Sequence, residues 1–157
     1  SKSLVDKINN SLQMINSKYI SISFHFCHLL SDSIDEYMQE LTNIKEHELL
    51  NKLGDFIEKF HIIYPCYKFL ICTNSATYIK FVKNMDLKYI YIIPGVPVHI
   101  DQTKSTDMTD YMKTFLDSFL ISKAEKVFLV KTNKMRNSEF PKVASIIGNK
   151  PFELIEI

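Results

Sequence analysis

An open α/β sheet with parallel strands and helices on both faces is the fold this sequence predicts, and three features predict it. Short apolar stretches rich in β-branched and aromatic residues alternate with helical stripes about five times along 157 residues, the pattern of right-handed βαβ units. The strand stretches carry few charges, as strands covered on both faces do. Glycines number 3 and prolines 5, too few for a loop-rich all-β chain or a disordered one. The length suits a single domain over residues 1–157 with a substantial core.

Taken in order, Leu4, Val5, Ile8, Leu12 and Ile15 form a helical stripe over residues 3–16. Tyr19 to Phe26 reads as the first strand. A polar turn follows, in which Asp32 or Ser33 can cap a short helix from Ile34 to Leu41. Leu49, Leu50, Leu53, Phe56, Ile57 and Phe60 mark a longer helix from about Ile44 to Phe60, and Pro65 breaks the chain after it. Tyr67 to Cys72 is the second strand, and Ser75 is placed to cap a helix running to about Lys83. Lys88 to Ile93 is the third strand, ended by Pro94-Gly95, with a loop from Val96 to Ser105. Met108, Tyr111, Met112, Phe115, Leu116, Phe119 and Leu120 give the clearest amphipathic helix. Val127 to Val130 is the fourth strand. Ser138 to Ile147 is a helix with Pro141 in its first turn and Gly148 closing it as the residue after the cap. Phe152 to Ile157 is the last strand.

Net charge is +1, so no overall field draws nucleic acid or an anionic membrane. The charge is uneven. Acidic residues dominate from Asp32 to Glu58, and from Lys131 to Lys150 every charge but Glu139 is basic. Cys27, Cys66 and Cys72 are odd in number and form no CxxC pair, which fits a reducing, cytoplasmic setting. No apolar run reaches the ~18 residues of a membrane span. The chain begins at Ser1 rather than Met, as a processed chain or a piece of a longer protein would.

In such a sheet the ligand lies at the carboxyl ends of the strands. Those ends here are His25 to His28, Thr73-Asn74-Ser75, Pro94-Gly95 and Lys131 to Ser138. They offer the hydroxyls, amides, imidazoles and cations that suit a nucleotide diphosphate. Neither GxGxxG nor GxxxxGK[ST] occurs, which argues against a dinucleotide enzyme and a P-loop NTPase. His25, Cys27 and His28 lack a second ligand pair at zinc spacing, so no metal is expected. Nor do an oxyanion hole and an orienting acid accompany Cys27 as a nucleophile. His25 reads equally as a hydrogen-bonded core histidine. Arg136, the only arginine, precedes the helix start at Ser138 and can fork onto phosphate as no lysine can; it reads equally as an exposed loop cation.

Four stretches resemble the GDP-fucose-binding half of the α1,6-fucosyltransferase and nodulation fucosyltransferase group. SFHFCHLLSDS stands where that family has a strand ending HxRRxD, and ICTNS where it has T-D-D or T-D-S. LDSFLISKAE is similar to L-D-x-x-x-L-S-x-A-D, and Lys131-Thr132 leads after a short insertion to SEFPKVA, similar to T-x-S-S-x-x-x-R-x-A. The resemblance implies a Rossmann-like sheet forming one half of a GT-B architecture, with a GDP-sugar as donor substrate and no cofactor. It implies that His25 and Thr73 line the nucleotide. Asp117 would pair with the guanine edge or hold the network that does, and Ser138 and Glu139 would bind phosphate. A glycan acceptor would be held by an amino-terminal domain absent from these residues. The chain departs from the family where Cys27 replaces the diphosphate-gripping arginine, Asn74 an aspartate, and Lys142 the last arginine. Arg136 is then the candidate catalytic cation. The alternative is a Rossmann-like binding or interaction module that has lost catalysis.

Overall fold

The computed structural model describes residues 2–26, 30, 43–95 and 108–157. Helix α1 (Lys2–Ile15) leads into β1 (Tyr19–Phe24), then α2 (Asn43–Ile63), β2 (Lys68–Thr73), α3 (Ala76–Asn84) and β3 (Ile90–Ile92). Helix α4 (Met108–Lys123), β4 (Val127–Lys131), α5 (Phe140–Ile147) and β5 (Phe152–Glu156) complete the described elements. The strands form one sheet in the order β3-β2-β1-β4-β5, and every pairing is parallel. This is the α/β, Rossmann-like architecture the sequence predicts.

Alternation along the strands divides the core between the two faces. Ile20, Ile22 and Phe24 of β1, with Phe69, Ile71, Phe128 and Val130, pack against Leu50, Leu53, Ile57 and Phe60 of α2 and Tyr78 and Val82 of α3. Tyr19, Leu70, Cys72 and Val127 turn the other way, onto Ile15, Leu116, Leu120, Ile121 and Ala144 of α1, α4 and α5. Tyr19 is amphipathic and buried, and its hydroxyl donates to the Leu120 carbonyl at 2.7 Å, as a buried phenol requires. Helix α1 ends at Asn16, whose φ of 41° an asparagine tolerates. The Lys68 ammonium donates to the Ile15 carbonyl there, at 2.5 Å.

Several boundaries differ from the sequence reading. The first strand stops at Phe24 rather than Phe26, because the Phe26 amide is taken by the Asn74 side chain at 3.0 Å instead of by a neighbouring strand. Helix α2 continues to Ile63, two residues short of Pro65. Strand β3 is three residues long. The last helix begins at Phe140, not Ser138. Glu139 holds the N-cap position with no side-chain cap bond, and Pro141, three residues after Ser138, has no amide for a serine cap to bond. Its carboxyl end also differs. Gly148 is right-handed, with φ −82°, and Asn149 carries the left-handed turn, with φ 51°. The Lys150 amide reaches the Ser145 carbonyl at 2.8 Å and the Asn149 amide the Ile146 carbonyl at 3.1 Å, the bond pair of a Schellman ending. Gly148 is required for a different reason: a Cβ there would run into the Ser122 backbone of α4. The short helix expected at Ile34 to Leu41, its caps Asp32 and Ser33, the loop from Val96 to Ser105, and Cys27 and His28 lie outside the described residues.

Candidate functional site

The strand order reverses at β1. The chain lays β2 and β3 on one side of it and β4 and β5 on the other. At such a switch point the connections diverge to opposite faces and leave a crevice at the carboxyl ends of the strands. Three strand ends meet there. In register, Phe24 at the end of β1 stands between Thr73 of β2 and Val130 of β4.

On the β2 side the backbone is held by side chains. The Thr73 hydroxyl accepts from the Ser75 amide at 3.2 Å. The Asn74 carbonyl oxygen accepts from the Phe26 amide and so ties the ends of β1 and β2 together. The Ser75 hydroxyl accepts from the Tyr78 amide at 3.0 Å, capping α3 as the sequence predicts. His25 is half-buried and directly follows β1.

On the β4 side the basic stretch is less free than its composition suggests. The Lys131 ammonium lies 2.9 Å from the Glu156 carboxylate of β5. Met135 is buried in the α2–α3 core. Its amide donates to the Thr132 carbonyl at 3.1 Å, and its sulfur accepts from the Thr132 amide at 3.4 Å. The turn is thus pinned at its middle by an apolar side chain that the charge pattern hides. Arg136 is exposed, Ser138 half-buried, and Glu139 exposed with its carboxylate 3.5 Å from the Lys142 ammonium. Pro141 removes one amide from the first turn of α5, and Glu139 places a carboxylate beside it. The start of α5 therefore has little of its own to offer an anion.

Three polar atoms on these adjacent strand ends are buried and have no hydrogen-bond partner among the described residues: Ser23 Oγ on β1, Asn74 Nδ2 after β2 and Thr132 Oγ1 after β4. The same holds for Tyr78 OH, packed between Phe24 and Phe26, and for His61 Nδ1 on α2. A buried polar group left unpaired costs about 1–3 kcal/mol. Three of them fall on the neighbouring ends of β1, β2 and β4.

Asp117 lies apart from this row, on α4 beside Cys72, the next-to-last residue of β2. Both of its oxygens accept from the Lys113 ammonium, at 2.8 and 2.7 Å. The two side chains are only 15% and 12% exposed. Gly95, with φ 123°, brings the backbone after β3 against the Lys113 stem. Burial raises the Asp117 carboxyl above its ordinary range, against the pull of Lys113. Burial and then the Asp117 charge push the Cys72 thiol up to about 12, with Lys113 and Ser21 pulling the other way. Cys72 is therefore a packing residue and not a thiolate. In the sequence the signal for Lys113 is its spacing of four from Asp117 on one helix, which composition and motifs do not bring out. Among the described residues no three His, Cys, Asp or Glu side chains gather as metal ligands would.

The structure thus places His25 and Thr73 together at the ends of β1 and β2. Arg136, Ser138 and Glu139 lie on the connection from β4 to α5, and Asp117 on α4. No model of a known protein family matches the sequence, and none of the curated proteins does. Solved structures do resemble the fold. An α-1,6-fucosyltransferase, NodZ, co-crystallized with GDP superposes with a TM-score of 0.57 at 15% identity, over 92% of this chain and 41% of its own. The fucosyltransferase NodZ from Bradyrhizobium gives 0.56 at 15% identity, over 91% and 41%. The chain spans less than half the length of these structures, and what it shares with them is a fucosyltransferase-like, Rossmann-like fold.

Proposed function

We propose that this chain binds a nucleotide diphosphate sugar at the carboxyl ends of β1, β2 and β4, as the donor-binding half of a fucosyltransferase-like GT-B glycosyltransferase. The observation that carries the reading is the set of unpaired buried atoms at the switch point, Ser23 Oγ, Asn74 Nδ2 and Thr132 Oγ1. It falls where open α/β sheets take nucleotides, in a fold shared with a fucosyltransferase co-crystallized with GDP. His25 and Thr73 would contact the nucleotide. Asp117 would order the base side through Lys113, since its oxygens are already engaged. Arg136 and Ser138 would face the diphosphate, where a guanidinium stabilises the charge that develops as the sugar departs. The glycan acceptor and the base that activates it would come from a separate domain.

Calorimetric titration with GDP and a GDP-sugar tests this. Binding is expected, and Asn74→Ala and Thr132→Val are each expected to weaken it by about 10-fold, the worth of one lost hydrogen bond. Absence of binding at millimolar nucleotide would overturn it.

The second reading, a module that has lost catalysis, is favoured by one observation. Lys131, the cation nearest the end of β4, is committed to Glu156. That reading expects Arg136→Ala and Ser138→Ala to leave nucleotide behaviour unchanged.

A further inference from the structure

Asparagine is followed by serine four times in the chain, at Asn10-Ser11, Asn16-Ser17, Asn74-Ser75 and Asn137-Ser138, and no asparagine precedes a glycine. The four pairs share one local chemistry. A small following residue lets its backbone nitrogen approach the carbon of the asparagine side-chain amide, and that approach is the first step of deamidation. In a folded chain it depends on how firmly the two residues are held. The structure holds the four pairs very differently.

Asn10 lies inside α1, where the Ser11 amide belongs to the helical ladder and Ser11 is buried. Asn74 is fixed on both sides of the step. Its side-chain oxygen accepts from the Phe26 amide at 3.0 Å, and the Ser75 amide donates to the Thr73 hydroxyl at 3.2 Å. Asn16 is exposed, but its own amide donates to the Leu12 carbonyl at 2.9 Å, its φ is 41°, and β1 begins at Tyr19. Turning its backbone would undo the end of α1. Asn137 has none of these restraints. It is exposed and lies in neither helix nor strand, and neither its amide nor that of Ser138 bonds a described residue. The pair spans the gap between two buried anchors, Met135 before it and Pro141 after it.

We propose that Asn137 is a modification site, at which spontaneous deamidation places a carboxylate beside Arg136. The Ser138 amide nitrogen gives its proton to hydroxide and attacks Cγ of Asn137. The new C–N bond closes a succinimide ring, the Cγ–Nδ2 bond breaks, and the side-chain nitrogen leaves as ammonia with a proton taken from water. A further water opens the ring, at Cγ to give aspartate or at the backbone carbonyl to give isoaspartate. Lys134 and Arg136 favour the anionic nitrogen formed on the way, since a nearby opposite charge stabilises an ionised group. In either product a neutral amide has become an anion within the basic stretch from Lys131 to Lys150. In isoaspartate the main chain also runs through the former side chain, which displaces Ser138 relative to Arg136. The proposal is independent of what the switch-point crevice binds.

Peptide mapping by mass spectrometry tests it on the 157-residue chain, held in mildly alkaline buffer both folded and in urea. In the folded chain the peptide carrying Asn137 is expected to convert faster than that carrying Asn16. It is expected to outpace those carrying Asn10 and Asn74 by about 10-fold or more, the factor that even a modest local restraint adds to a barrier. Aspartate and isoaspartate should both form. In urea the four sites should converge, because the reacting pairs are alike. Asn137→Gln should abolish conversion at this position and leave the circular dichroism spectrum and the other three sites unchanged. Equal rates at the four sites of the folded chain overturn the proposal, and so does a slower rate at Asn137 than at Asn16. Persistence of Asn137 in the folded chain over the time in which the unfolded chain converts also overturns it. Aspartate without isoaspartate does so as well, because direct hydrolysis would then have replaced the ring.

Discussion

Lys113 and Asp117 form the least exposed ion pair among the described residues, and each depends on the other. Removing one partner of a buried pair leaves the other uncompensated, whereas removing both can be nearly neutral. Lys113→Met alone is therefore expected to lower stability by about 3 kcal/mol, and the double substitution Lys113→Met with Asp117→Leu to recover most of it; urea unfolding of the set decides this. The carboxyl also makes stability depend on pH. Its pKa is raised in the folded chain, so just above the ordinary carboxylate value the folded state binds more protons than the unfolded state. Its contribution is complete below that value and is lost as pH rises through the folded pKa. Asp117→Asn should remove this part of the decline, seen as a flatter denaturation midpoint from pH ~4 upward. At this scale the sequence is readable where a residue acts on its own neighbours. Ser75 caps the helix that follows it because the cap is a local bond. Lys113 and Met135 are harder to see, since what matters about them is burial, and burial is set by strands distant in sequence.

Among the elements, α3 and α5 show how two similar helix starts can differ. Ser75 satisfies the Tyr78 amide, and Ser75→Ala should cost about 1 kcal/mol. Ser138 makes no such cap at α5, so Ser138→Ala should leave stability within ~0.5 kcal/mol of the parent. Thermal melts of the two variants side by side test the contrast. The motif at α5 looked like a cap because Ser precedes Pro at helix-start spacing. With the N-cap at Glu139 the helix starts later, and the local signal for that shift is Pro141, which leaves a cap at Ser138 without its third-residue amide. Gly148 is a related case. A glycine after a helix normally signals a left-handed turn, but here Asn149 makes the turn and Gly148 lets α5 approach Ser122 of α4. Strand positions were read well because apolar runs bounded by polar turns have few other structures open to them.

As a molecule, the chain is a single sheet with a core on each face, and neither core can persist without the strands they share. Leu53 and Leu120 are fully buried on opposite faces. Leu53→Ala and Leu120→Ala are each expected to lower one common unfolding transition by about 3 kcal/mol; two separate transitions in a calorimetric scan would contradict this. The fold class was legible because alternating strands and helices leave little choice of topology. The site was legible only in part. Strand ends can be placed from sequence, but an unpaired Asn74 or Thr132 atom becomes visible only when three strands stand side by side.

The position of β1 also has a consequence for how the chain is made. This strand lies between β2 and β4, with Ser21 beside Val127, so the strand of this sheet that is synthesised first is among the last of the five to be enclosed. Until residues beyond 127 emerge, YISISF has one open flank and β-branched side chains able to join any available strand. Closure over so long a stretch is slow. Slower synthesis or added chaperone during that interval is therefore expected to raise the fraction of chain that reaches its native form.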